Sequence, residues 1–263
     1  MIPLRDNQPT ERFPAVTIAL IALNVVMFIA QWLLPLDASL TAVPYELTHH
    51  VDIVGRVALS SSGHLLAPGQ HPAAILTYGP SPHPLWITIF TSMFMHAGLM
   101  HLGGNMLFLW VFGNNIEDAL GRFRFVVFYL LCGLAAALLQ IATDPNSVTP
   151  VLGASGAIAG VLAAYYLLYP RARVLTLVPI SWFGFFVELR AGWVLAFWFA
   201  LQVYEGLVGI GMERGGGVAT FAHIGGFLTG LALIQLCGGR RLAQRQSKRA
   251  ALIPIPPSER GYS

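Results

Sequence analysis

Charge is scarce in this chain. Of 263 residues, 10% are Asp, Glu, Lys or Arg, where a soluble domain carries about a quarter. That deficit excludes a soluble enzyme with a polar shell and a disordered chain. Cysteine is scarcer still, and Cys132 and Cys237 both fall inside apolar stretches. They supply neither a disulfide framework nor a metal spacing and are read as packing residues. No internal repeat is visible, which weighs against the inverted-repeat transporters. There is no HExxH, and no Asp or Glu stands at ligand spacing from a histidine pair, so no metal and no cofactor are expected.

What is abundant is apolar sequence: 56% of residues are hydrophobic and the mean hydropathy is +0.66. Five runs free of Asp, Glu, Lys and Arg stand out, at 14–34, 93–116, 125–142, 151–169 and 218–237. A sixth, 191–210, is interrupted only by Glu205. Each is long enough to cross a hydrocarbon core of ~30 Å as a helix, and a backbone in lipid must satisfy its own hydrogen bonds. The first run is too long for a cleavable signal peptide and has no small-residue cleavage site behind it. The expected fold is an all-α bundle of six transmembrane helices over 14–237. It is preceded by a segment at 1–13 and followed by a basic tail at 238–263, with one long connection at 35–92. Part of that connection, near Trp86, is expected to lie at the lipid interface. The apolar stretch 174–187 contains Pro179 and reads as an interfacial connection rather than a span.

The net charge of +3 and a pI near 9.1 could suggest nucleic acid, but the distribution favours a membrane and no nucleic-acid partner. Thirteen of the 15 basic residues lie before the first run, between the second and third, between the fourth and fifth, or after the sixth. These connections share one side. By the positive-inside rule that side, with both ends of the chain, is cytoplasmic, and the long connection is external.

A polar residue inside such a run is a functional candidate. The runs hold Asn24, His96, His101, Asn105, Ser155, Glu205 and His223. Helices 2, 4 and 6 all begin on the external side, so His101 and Asn105, Ser155, and His223 are expected at one depth beneath it. A serine hydroxyl attacks a carbonyl only when a base takes its proton, and His223 is the natural base. Gly153 and Gly156 flank Ser155, while Gly225, Gly226 and Gly230 follow His223. These small residues predict close packing of helix 6 on helix 4. His101 and Asn105, four apart on one helix face, could donate hydrogen bonds to a developing oxyanion, as could the Ser155 N–H. Glu205 is the one carboxylate that could reach His223; without it the constellation is a dyad. The expected reaction is acyl transfer to serine and then to water. Asn24 reads as an interhelical hydrogen-bond group, and Glu117 and Asp118 as partners of Arg122 or Arg124. Two other readings remain open, an inactive binder of membrane segments and a small transporter.

Three segments carry a resemblance: TSMFMHAGLMHLGGNMLFLWVFGNNIEDALG (Thr91–Gly121), LGASGAIAG (Leu152–Gly160) and AHIGGFLTG (Ala222–Gly230). Together they resemble the rhomboid family of intramembrane serine proteases, in its bacterial six-helix branch. The resemblance implies Ser155 as nucleophile and His223 as general base. It implies oxyanion roles for His101, Asn105 and the Ser155 N–H, and structural roles for His96 and Glu117. It also implies a lipid-embedded enzyme whose site opens externally and which cuts single-span membrane proteins in or beside their transmembrane segment. Helix 5 and the glycine-rich stretch 206–217 are the expected gate. Two positions depart from the family pattern. Ala159 stands where an aromatic residue often stacks on the histidine, leaving open what holds the His223 ring. Ile87-Thr88 stands in place of a Trp-Arg pair, which implies a differently anchored connection.

Overall fold

The computed structural model describes residues 2–34, 38–67, 69–180, 183–210, 219–239 and 241–245. The stretch 211–217 of the expected gate, with residue 218 and most of the basic tail, lies outside the described residues. In chain order the elements are β1 (Ile2–Asp6), α1 (Ala15–Leu33), α2 (Pro44–His49), β2 (Gly55–Leu59), β3 (Ala74–Tyr78), α3 (Ile87–Thr91), α4 (Leu99–Phe108), α5 (Asn114–Leu120), α6 (Arg122–Thr143), α7 (Ser155–Leu168), β4 (Arg173–Ile180), β5 (Phe183–Arg190), α8 (Ala191–Ile210) and α9 (Thr220–Leu236). A wider π-helical turn, Leu109–Gly113, joins α4 to α5. Among the described residues three helices are long and apolar enough to cross a membrane: Ala15–Leu33, Arg122–Thr143 and the Ala191–Val208 part of α8. The apolar helices α7 and α9 are shorter.

Helix α7 is the axis of the molecule. Nearly all of it is buried, from Gly156 to Tyr165, and it packs against α6 and α9 through glycine. A Cβ on Gly226 would lie 1.9 Å from the Gly156 carbonyl oxygen, and one on Gly230 would lie 2.4 Å from that of Gly160. A Cβ on Gly160 would in turn meet Cys132 Sγ at 2.4 Å. Backbone therefore rests on backbone, the contact that small residues permit between helices. Apolar side chains face outward elsewhere. Trp32 and Leu33 on α1 and Trp193, Phe197, Tyr204 and Leu207 on α8 are all exposed. Such a surface would be an aggregation hazard in water and suits a lipid environment.

The all-α expectation requires correction. Among the described residues the structure is mostly helical but also contains five short strands. β4 and β5 form an antiparallel hairpin from Arg173↔Arg190 to Ile180↔Phe183, and β1 pairs antiparallel with β4. The stretch read as an interfacial connection is this hairpin. It is rich in Val, Leu, Ile, Thr and Phe, residues that suit strands, and its runs are too short for periodicity to separate strand from helix. β2 and β3 pair within the connection before α4. There Val43, Leu59, Tyr78 and Val148 form a small core of their own, and the Tyr78 hydroxyl donates to the Val148 carbonyl at 2.5 Å. Burial pushes the Glu46 carboxyl in α2 above its ordinary range, although it accepts from the Ile53 N–H at 2.9 Å and the Ser81 hydroxyl at 3.3 Å.

Glu117 also has other partners than expected. Its carboxylate crosses to the start of α1 and accepts the Val16 N–H at 3.0 Å, the Thr17 N–H at 2.7 Å and the Thr17 hydroxyl at 2.8 Å. The first N–H groups of a helix lack intrahelical acceptors and sit at its positive dipole end, so a buried carboxylate is stabilised better there than beside an exposed arginine. Nearby, Asp6 on β1 accepts from the Asn115 amide at 2.8 Å and from the Tyr165 hydroxyl. Asn24 bonds within its own helix, its amide donating to the Leu20 carbonyl at 2.7 Å.

Candidate active site

Ser155 is the first residue of α7, preceded by Gly153 in the left-handed region at φ 119°. Two constraints hold that glycine: its backbone conformation, and a Cβ that would fall 2.8 Å from His101 Cε1. The Gly153 N–H donates to the Ser92 carbonyl at 2.9 Å, and Val151 exchanges two backbone hydrogen bonds with Ala42, of 2.8 and 3.1 Å. The chain leading to the serine is thus fixed at two points before the helix begins.

His223 lies on the first turn of α9 and is buried. Its Nε2 is 2.8 Å from Ser155 Oγ. The glycine contacts bring this pair together, since they let α9 approach α7 to backbone distance just where each helix carries its polar residue. The start of α9 is also pinned from α6, where Gln140 Oε1 accepts the Ala222 N–H at 3.1 Å.

The third cluster lies before and within α4. Helix α4 begins at Leu99, so His96 precedes the helix rather than riding on it. Gln31 of α1 holds the His96 backbone in both directions, at 3.0 and 3.2 Å. The His96 ring stands edge-on to His101, centroids 5.1 Å apart. Its Nε2 lies 2.9 Å from Asn105 Nδ2, so His96 accepts one amide hydrogen and leaves Asn105 a second. A Cβ on Gly153 would lie 3.8 Å from that same Asn105 nitrogen. His101 and Asn105 thus border the turn just ahead of Ser155. A small cavity of ≈ 20 Å³ backs Ser155, between Ser92, Val151, Gly156 and Ala222.

Four neighbours escaped the sequence reading. Gln202 on α8 places Oε1 2.5 Å from His223 Nδ1, and Trp198, one turn earlier, lies against the imidazole with centroids 5.7 Å apart. The ring thus has an aromatic neighbour from α8, although position 159 is alanine. Gln140 and Gln31 are the others. All three glutamines lie in apolar runs, and counting amides along with ionisable groups would have found them. Glu205 approaches this cluster through Gln202, whose Nε2 is 3.4 Å from its carboxylate.

Comparison with known proteins places this neighbourhood in a family. Residues 83–240 match the Rhomboid domain model. The chain is 34% identical over 149 residues to Rhomboid protein 1, mitochondrial, of Saccharomyces cerevisiae, covering 55% of this chain and 40% of that protein. It is 31% identical over 158 residues to Rhomboid-like protein 11, chloroplastic, of Arabidopsis thaliana, covering 58% and 53%. It is 30% identical over 168 residues to Rhomboid-type serine protease 2 of Emericella nidulans, covering 63% and 29%. The matched part is about half or less of each relative's length. The matched region contains α4 to α9, with Ser155, His223, His101 and Asn105, and on that footing this chain belongs to the rhomboid family of membrane-embedded proteins.

Proposed function

We propose that this protein is an intramembrane serine endopeptidase that cleaves single-span membrane proteins in or beside their transmembrane segment. The observation that carries the reading is the 2.8 Å approach of His223 Nε2 to Ser155 Oγ, at a helix start bordered by amide and imidazole donors. His223 takes the hydroxyl proton as Ser155 Oγ attacks the substrate carbonyl. The Ser155 N–H, the free Asn105 amide hydrogen and the His101 imidazole supply donors for the oxyanion. His223 then returns the proton to the leaving amine, and water hydrolyses the acyl-enzyme. The cavity behind Ser155 has room for about one water molecule. No metal or cofactor enters this chemistry.

In this reading six helices cross the bilayer: α1, the α4–α5 axis, α6, α7, α8 and α9. The basic connections and both ends of the chain face the cytoplasm, and residues 35–92 face outward with the site. The stretch 14–237 forms the membrane domain. A helical substrate must unwind to expose a carbonyl, so small and helix-breaking residues near the cut favour cleavage. A transporter would need none of this hydroxyl–imidazole geometry, and an inactive relative would lack one of the two partners.

The test is cleavage, by purified protein in liposomes, of a single-span substrate with small residues near its outer end. Ser155→Ala and His223→Ala should each abolish it with the fold intact, and a fluorophosphonate probe should label wild type but not Ser155→Ala. Normal turnover by either variant would sink the proposal, and solute flux in place of cleavage would favour transport.

A further inference from the structure

Hydrogen-bond polarity along α8 leads beyond a two-residue site. Gln202 and Glu205 are three apart and therefore share a helix face. Gln202 is 6% exposed and bridges two groups, with Nε2 3.4 Å from the Glu205 carboxylate and Oε1 2.5 Å from His223 Nδ1. The Glu205 carboxylate oxygen accepts from the Gln202 amide, so it takes the NH₂ end. That choice turns the Gln202 carbonyl toward His223. A carbonyl also only accepts, so Nδ1 must carry the hydrogen. A neutral imidazole has one N–H, which leaves Nε2 bare, 2.8 Å from Ser155 Oγ.

We propose that Gln202 and Glu205 form a positioning relay on α8 that locks His223 in the tautomer able to take the Ser155 proton. The proposal rests on the Ser155–His223 reading above. It gives the exposed Glu205 a task and supplies the orienting acceptor that a bare dyad lacks. When His223 holds the serine proton as an imidazolium, its Nδ1–H stays on the Gln202 oxygen, and the dipole of the amide with the carboxylate behind it stabilises the positive charge. Trp198, against the imidazole at 5.7 Å between centroids, limits the ring's freedom to turn away. Gln202 and Glu205 act through His223, so both are positioning residues.

The experiment uses the full chain in liposomes with the single-span substrate, and Ser155→Ala as reference. Gln202→Leu leaves the buried Nδ1–H without an acceptor and should lower kcat by roughly 10- to 100-fold with little change in KM. Gln202→Glu restores an acceptor and should recover most of that loss, which a merely structural role would not allow. Glu205→Ala should lower kcat a few-fold in wild type but raise it or leave it unchanged beside Gln202→Glu, because two carboxylates three apart repel. Nitrogen NMR of the histidines, with His223→Ala to assign the signal, should show Nδ1 protonated and Nε2 bare in wild type, and a mixture in Gln202→Leu. Wild-type kcat in Gln202→Leu, or an equal drop from Glu205→Ala in both backgrounds, overturns the relay, and the dyad still stands if Ser155→Ala is inactive. Activity in Ser155→Ala removes the dyad and the relay together. If Gln202→Leu does not fold, Glu205→Ala decides in its place, since its side chain is exposed and its replacement spares the core; an unchanged kcat there overturns the relay.

Discussion

The two ends of α7 are both polar and both partly or wholly buried, yet they are built for opposite purposes. At one end Ser155 meets His223 through a single contact of 2.8 Å beside a small cavity. At the other, ten residues on and about 15 Å along the axis, Tyr165 donates to Asp6, Asn115 donates to the same carboxylate, and Glu117 caps α1. The second end spends its hydrogen-bonding capacity on holding elements together. The first leaves capacity over: the second Asn105 amide hydrogen, the His101 ring and the Ser155 N–H border one space. A polar group saturated by neighbours stabilises; one left with a spare valence can act on something else.

Substitutions can break that contrast, and the largest effect should come from the helix contact beside Ser155. Gly226→Val would press a side chain onto the Gly156 carbonyl, 1.9 Å from the position of its Cβ. Separating α7 from α9 should cost at least about 4 kcal/mol. Calorimetry should register this as lost folding along with lost cleavage; a normal melting temperature would mean that the helices do not need backbone contact. Next comes Asn105→Ala. It removes one oxyanion donor and should slow turnover ~10²–10³-fold, about 3–4 kcal/mol in the transition state, while stability changes little. Near-normal turnover would remove Asn105 from the oxyanion role.

The opposite end should respond in the opposite way. Glu117→Ala strips the cap from α1 and leaves the Val16 and Thr17 N–H groups unpaired, a loss of about 1–3 kcal/mol in stability. Turnover per folded molecule should hold, and a large fall in kcat at constant stability would show that the two ends are coupled. The smallest effect is at Asp6, whose carboxyl is pushed by burial from 3.8 up to about 6. Between those values the folded protein holds this proton better than the unfolded chain does, so stability is fullest below about 4 and falls as pH rises through 6. Asp6→Asn keeps an acceptor for Tyr165 and Asn115 without the charge. It should flatten the profile and add on the order of 1 kcal/mol at neutral pH. An unchanged pH dependence of melting would show that burial does not hold the proton on Asp6.

How much of this was legible in the sequence depended on the range of each signal. Ser155 and His223 stood out because each is polar in an apolar run, and the glycines beside them foretold how close α7 and α9 come. Helix starts were legible only approximately. The run beginning at Met93 gives α4 from Leu99, since Ala97-Gly98 breaks the regular backbone. The β4–β5 hairpin was hidden because a short apolar run has the same composition whether strand or helix. Glu117 was matched to the arginines nearest in sequence, whereas its acceptors' partners, Val16 and Thr17, are a hundred residues away and carry no side-chain signature beyond one hydroxyl. Gln202 was passed over for a different reason. An amide has no charge to mark it, although in a dry surrounding its two ends are as directional as any ionised group.

The meeting of Gly156 with Gly226 has one more consequence. Main chain touches main chain there, so no side-chain rotamer at that crossing can reset the spacing between the starts of α7 and α9. Under the proposed function, substrates of different girth would have to find their slack on the α8 wall, which carries bulky, adjustable side chains such as Trp198. One jaw of this vice is fixed, and only the other can yield.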